Sequence, residues 1–350
     1  MKPDLKSASK EMRQASRKLV LTALLVTCEI GTVGAGNNVW TSLGPKGGMI
    51  ETLAIDPQNP AILYAGTNIG MFKSTDAGAT WTASNTGMNT ANVLAVAIDS
   101  KNPTILYAGT GNGLFKTSDG GKRWALESSG LTSTTVQALA IDPQNPGTLY
   151  AGTWGDGVFK STNGGTSWAS TGSALGAAYI YALAIDPQNT GVLFAGTNGG
   201  LFNSKDSGKT WSALKSGPPD ATVEALAMDP QKPGTLVLAA NAWVPGGGYN
   251  ASVIKSNDGG TTWGAAGSGL PKSRIRALAI SPQNSKILFA GIESGVYQSN
   301  DGGTIWTAAN NGLTVTNVHA LALDRKNPGK LYAGTSGGGV FAIANDSALD

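Results

Sequence analysis

The sequence predicts an all-β fold: a seven-bladed β-propeller of four-stranded blades, with the ring closed by an N-terminal strand that completes the last blade. Three observations carry this expectation. The pattern Ser/Thr-x-Asp/Asn-x-Gly-x-x-Trp occurs six times, ending at Trp81, Trp124, Trp168, Trp211, Trp263 and Trp306. An apolar strand pattern restarts at Ile50, Val93, Val136, Ile180, Val223, Ile275 and Val318, with spacings of 43, 43, 44, 43, 52 and 43 residues. Four short strands in a period of that length are the signature of a propeller blade. The last copy, Val318 to Ala344, has three strands and no Trp-bearing fourth, and Val39-Trp40-Thr41 near the other end can supply one. Closing the ring protects strand edges that would otherwise invite aggregation.

Residues 1–35 read as an export signal. A basic stretch runs to Lys18, an apolar run follows from Leu19 to Cys28, and Val33-Gly-Ala35 offers a small-residue cleavage site. The apolar run is too short to span a bilayer comfortably, so no membrane span is expected in the mature chain. The expected location is secreted, or periplasmic within a cell envelope. Cys28 is a candidate for lipid attachment, though Thr27 and Glu29 suit that role poorly. It is the only cysteine. The mature chain, 36–350, therefore carries no disulfide, thiolate nucleophile or Cys-type metal site, and no cofactor is expected. The formal charge of +3 comes entirely from the N-terminus. Basic and acidic residues balance beyond residue 35, so no nucleic-acid partner is expected. A length of 350 residues would suggest two domains, but the repeat makes residues 36–350 a single propeller.

The first complete unit shows the plan. Ile50 to Asp56 is an inner strand, Pro57 to Pro60 a turn, and Ile62 to Thr67 a second strand. Asn68-Ile-Gly70 is a loop, Met71 to Ser74 a third strand, and the Asp turn leads to a fourth strand bearing Trp81. An Asp side chain can bond backbone N–H groups two residues on, Gly tolerates positive φ, and Trp returns a large apolar surface to the sheet. One Asp per turn is too few for a calcium cage, so the turns read as structural. Asn163 keeps the acceptor in blade 3 and fits that reading.

Two features exceed what the repeat needs. Of nine tryptophans, seven are repeat positions, Trp40 included; Trp154 and Trp243 fall instead in loops between second and third strands. Trp243 sits in the one long insertion, Asn241 to Asn250. Exposed aromatic faces on loops of a rigid scaffold stack on ligands, sugar rings included; the alternative is that each covers its own blade. The second feature is the residue after the first β-branched position of each inner strand: Glu51, Leu94, Gln137, Tyr181, Glu224, Arg276 and His319. Inner strands line the channel, so these side chains should ring its mouth. They make either a concave ligand site or a water-filled pore in which Arg276 pairs with Glu224 or Glu51. His319, the only histidine, has no partner for zinc and is at most a lone base.

From Val39 to Ala344 the repeat resembles the Asp-box (BNR) repeats of sialidases, two-propeller xyloglucanases, sortilin-type receptors and photosystem II assembly-factor propellers. The resemblance implies Asp turns on the face opposite the functional one. It specifies fold far more than activity. Sialidases grip a carboxylate with three arginines, the first in Arg-Ile-Pro; no such motif occurs here, and only Arg123, Arg274, Arg276 and Arg325 follow the signal. The stretches from Gly44 to Ile50 and Leu63 to Gly70 are similar to the opening xyloglucanase blade. There the resemblance places a catalytic Asp where this chain has Asn68, and a second on another propeller. Glycoside hydrolysis needs two carboxyl groups flanking one bond; Glu51, Glu224, Asp156 and Glu293 are candidates in a different pattern. The expected function is therefore a non-catalytic exported propeller that recognises a glycan or protein ligand through Trp154, Trp243, Tyr181, Glu51, Glu224, Arg276 and His319. A xyloglucanase-like glycoside hydrolase and a photosystem assembly-factor-like chaperone are the alternatives.

Overall fold

A computed structural model describes residues 38–89, 92–214, 221–246 and 248–344. The expected export signal and Cys28 lie outside the described residues. Seven four-stranded antiparallel sheets form, each ordered inner, second, third and outer. Blade 1 is Ile50–Ile55, Leu63–Thr67, Gly70–Ser74 and Thr82–Ala83. Blades 2 to 6 begin at inner strands Val93–Ile98, Val136–Ile141, Ile180–Ile185, Thr222–Met228 and Ile275–Ile280. Blade 7 takes Val318–Leu323, Lys330–Thr335 and Gly339–Ala344 from the C-terminal end and Thr41–Gly44 from the N-terminal end. Thr41 pairs with Ala342 and Ser42 with Phe341, which closes the ring as expected.

The outer strands differ from the expectation. They are two or three residues long in blades 1 to 6 and begin just after the repeat Trp, so the Trp leads into the strand rather than lying within it. The indole is a wedge between blades. Trp124 of blade 2 packs with Tyr64 and Met71 of blade 1, Trp168 of blade 3 with Tyr107 and Leu114 of blade 2, and Trp40 with Phe289 and Val296 of blade 6. The core is accordingly seven apolar seams between consecutive sheets. The closing seam joins Ile50, Leu63 and Ala65 to Tyr332, Val340 and Ala342.

The Asp turns also act across these seams. Within the turn, Ser74 Oγ donates to Asp76 Oδ1 and accepts from Gly78 N, while Asp76 accepts from Thr80 N and Thr80 Oγ1. The carboxylate thus reaches four residues on rather than two, because the turn is longer than a simple Asx turn. The turn then receives the preceding blade. Tyr64 Oη and Lys73 Nζ of blade 1 both donate to Gly120 O, at 3.0 and 2.7 Å. Tyr107 and Lys116 of blade 2 do the same to Gly164 O, and Tyr150 and Lys160 of blade 3 to Ser207 O. At these three seams phenol and ammonium converge on one turn carbonyl, so there the turn is a latch between neighbours; blades 4 and 6 carry Phe194 and Phe289 at the tyrosine position.

Candidate functional site

The face carrying the entries to the inner strands is shaped by one repeated irregularity. Every inner strand has a β-bulge at the residue after its first β-branched position, between Ile50 and Thr52, Val93 and Ala95, Val136 and Ala138, Ile180 and Ala182, Val223 and Ala225, Ile275 and Ala277, and Val318 and Ala320. The extra residue has no partner in the ladder and its side chain is re-aimed. The variable positions Glu51, Leu94, Gln137, Tyr181, Glu224, Arg276 and His319 are these bulge residues. That is why the repeat leaves them free to differ.

Their pairing differs from the expected one. Arg276 contacts Glu293 at 3.6 Å rather than Glu224 or Glu51. Glu224 instead accepts from Arg274 Nε with both carboxylate oxygens at 2.8 Å. Its side chain is only 9% exposed and that of Arg274 25%, so the pair is largely withdrawn from water. Burial alone would lower the pKa of Arg274, but the Glu224 carboxylate outweighs it and holds the guanidinium charged. His319 Nδ1 lies 3.4 Å from Glu51 Oε2, with the imidazole 8% exposed and Nε2 buried without a partner. Asn68, which stands where the xyloglucanase resemblance puts a catalytic Asp, accepts from Met49 N at 2.9 Å and so holds the loop.

Aromatic groups gather beside the Glu224–Arg274 pair. Trp154 stacks on Tyr179 with ring centroids 4.9 Å apart and meets Tyr181 edge-on at 6.0 Å. A backbone bridge between Trp154 and Tyr179 pins the pair, yet the indole remains 46% exposed. Tyr249 lies under Arg274, whose guanidinium carbon is 5.5 Å from the ring centroid. The Tyr181 hydroxyl is pushed up by burial first and by the Glu224 charge second, offset in part by Arg274. The insertion near Trp243 is no loose loop: it lengthens the second and third strands of blade 5 into Leu236–Trp243 and Tyr249–Ser256, with Trp243 paired to Tyr249 at the tip. Trp243 is 64% exposed.

The structure thus brings Trp154, Tyr181 and Glu224 into one arc over blades 3 to 6, with Trp243 at its outer end on the extended hairpin. Glu51 and His319 form a separate pair where blades 1 and 7 meet, and Arg276 a third station with Glu293. Sequence reasoning missed Tyr179, Tyr249 and Arg274. A signal was present: Tyr179 and Arg274 both stand immediately before an inner-strand start, where blades 1, 2 and 7 carry Met49, Asn92 and Asn317. Among the described residues, no group of three or more His, Cys, Asp or Glu could hold a metal ion, and no helix is long and apolar enough to cross a membrane. A cavity of about 540 Å³ opens on the other face, among the turns that follow the inner strands.

Neither a protein-family model nor a curated protein sequence matches the chain. Solved structures do match in fold. The GH74 xyloglucanase from Xanthomonas campestris superposes with a TM-score of 0.71 at 20% identity, over 87% of this chain and 53% of that one. The chain spans about half the length of that enzyme. YCF48 from Cyanidioschyzon merolae gives 0.66 at 15% identity over 88% of this chain and 99% of its own. YCF48 has also been solved bound to D1 peptide. The extracellular domain of a putative hybrid two-component system from B. thetaiotaomicron gives 0.67 at 18% identity, covering 87% and 39%. At such identities the likeness is one of fold.

Proposed function

We propose that this protein is an exported, non-catalytic propeller that binds a glycan through the aromatic arc on the face where the inner strands begin. The observation that carries the reading is the Trp154–Tyr179 stack, a half-exposed indole beside the partly withdrawn Glu224–Arg274 pair. Aromatic faces presented at fixed positions, with a charged pair to orient hydroxyl groups, suit an extended ligand of flat rings. Binding is favoured over hydrolysis because Glu224, Glu293 and Glu51 each face a basic side chain instead of flanking one open site as a pair. Export rests on residues 1–35 and agrees with a structural neighbour that is an extracellular domain. A protein ligand is the second reading, favoured by the neighbour bound to a peptide.

The test is a glycan array and a peptide array probed with the mature chain and with a Trp154→Ala/Trp243→Ala variant. Retention on a glycan that the variant loses supports the proposal. Retention only on peptides selects the second reading. Turnover of a bound glycan, abolished by Glu224→Gln, would overturn the non-catalytic assignment.

A further inference from the structure

The entry to blade 6 departs from the repeat beside the aromatic arc. The five residues that end at its bulge are Lys272-Ser-Arg274-Ile-Arg276, and the same stretch of the other six blades holds no lysine or arginine. Arg274 is fixed on two sides. Its Nε donates to both oxygens of Glu224, and its guanidinium lies over the Tyr249 ring. Glu224 thus engages one of the five N–H donors. The two terminal amino groups have no partner among the described residues, and the side chain reaches solvent. A guanidinium pinned at Nε presents its terminal edge in one orientation, the geometry that takes a carboxylate with two parallel hydrogen bonds.

Aromatic rings neighbour that fork from two directions. Trp243 pairs directly with Tyr249 across the blade 5 hairpin, and residues directly opposite one another project to the same side of a sheet. The Trp243 indole therefore stands on the side of the hairpin that Tyr249 turns toward Arg274. From blades 3 and 4, Tyr181 meets Trp154 edge-on, and its hydroxyl lies close enough to Glu224 and Arg274 for both charges to act on its ionisation. Two further cations stand by. Arg276 holds Glu293 only at 3.6 Å and has a buried Nε without a partner, and exposed Lys272 makes no hydrogen bond or ion pair among the described residues. The carboxylates nearby are Glu224, Glu293 and Asp156, the last bonded to Thr132 Oγ1. The arc is therefore balanced in charge, and an anion would be chosen by directed donors rather than by net field.

We infer that the ligand of the arc is a uronic-acid polysaccharide, with one sugar carboxylate on the terminal amino groups of Arg274 and adjoining rings on Trp154 and toward Trp243. Glu224 is then a positioning residue that aims Arg274. The inference rests on the glycan reading of the arc and narrows it to an acidic class.

The experiment is calorimetric titration of the whole protein with hexamers of galacturonate, mannuronate and glucuronate. Each is compared with its carboxyl-reduced counterpart, which keeps the ring and linkage but carries a hydroxymethyl group in place of the acid. One uronate or more should bind about tenfold tighter than its reduced form, the worth of one hydrogen bond to a charged group. Arg274→Lys leaves a cation opposite Glu224 but removes the fork; it should lose about tenfold for the uronate and leave the reduced form unchanged. Trp154→Ala should weaken both forms. Should Arg274→Lys not fold, the ratio of uronate to reduced form in the unsubstituted protein decides alone. A reduced form that binds as tightly as its uronate, with both weakened by Trp154→Ala, would overturn the acidic class and leave the glycan reading standing. An Arg274→Lys variant that binds the uronate normally would overturn it too. Binding of none of these saccharides would also overturn it, and the glycan and peptide arrays then judge the broader reading separately.

Discussion

Gly334→Ala is the sharpest probe of the ring that positions both faces. Gly334 lies on the second strand of blade 7, in backbone that alanine can adopt, so any cost must come from what its Cβ meets. An ideal Cβ there runs into Ile50 Cγ2, comes to 2.8 Å from Ile50 Cβ and meets Ala320 Cβ at 3.4 Å. Ile50 is fully buried and β-branched, so it cannot swing aside. The sheets of blades 7 and 1 must part by several tenths of an ångström, and overpacking of this kind costs about 2–3 kcal/mol. Urea unfolding measures it. Gly264→Ala is the control: no atom lies within 4 Å of its Cβ, so its effect should stay within about 0.5 kcal/mol. In a double-mutant cycle, Ile50→Ala should recover at least about 1 kcal/mol of the Gly334→Ala cost. Gly334→Ala as harmless as Gly264→Ala, or strict additivity with Ile50→Ala, would refute contact between the first and last blades.

Arg274→Met should destabilise by about 2 kcal/mol in urea, less than the full cost of orphaning a buried carboxylate because Arg274 is partly solvated; an unchanged midpoint would count against the pairing with Glu224. Asp206 and Asp258 are held down to about 2 chiefly by their bonds to Thr210 and Thr262. Their folded pKa lies below the unfolded value of about 3.9, so the stability they add is present above it and lost as pH falls toward 2. Acid unfolding should therefore begin below pH ~4 and move upward in Asp206→Asn; an unshifted midpoint would contradict a stabilising role for the Asp206 carboxylate's bonds to Thr210. The hydroxyls of Tyr64, Tyr107 and Tyr150 are pushed up to about 12, mainly by burial. Here the folded value exceeds the unfolded ~10, so stability is present below pH ~10 and lost as pH rises through 12. Phenolate absorbance in the native protein should show these three titrating late, and a single step near pH ~10 would contradict their burial.

The architecture was legible because it is written seven times. Periodicity located each blade, and the missing fourth strand of the last copy located its replacement at Thr41–Gly44. The bulge residues were also legible as positions, since a residue expelled from the ladder escapes the apolar pattern around it. Their partners were not. Arg274 reaches across to Glu224 of blade 5, while Arg276 pairs within blade 6 to Glu293, because the loops set which side chains converge and loop paths have no period. The Trp243 insertion misled for a related reason. The insertion from Asn241 to Asn250 read as a loop, yet Gly246 and Gly248 sit at positive φ at the tip of a hairpin whose arms continue the strands.

The most direct measurement of the functional account is where a bound ligand sits. A crystal of the mature protein soaked with its best array ligand should show density across Trp154 and toward Tyr249, on the face where the inner strands begin. Density on the outer rim at the Asp turns, or with Trp154 and Trp243 both untouched, would contradict the account.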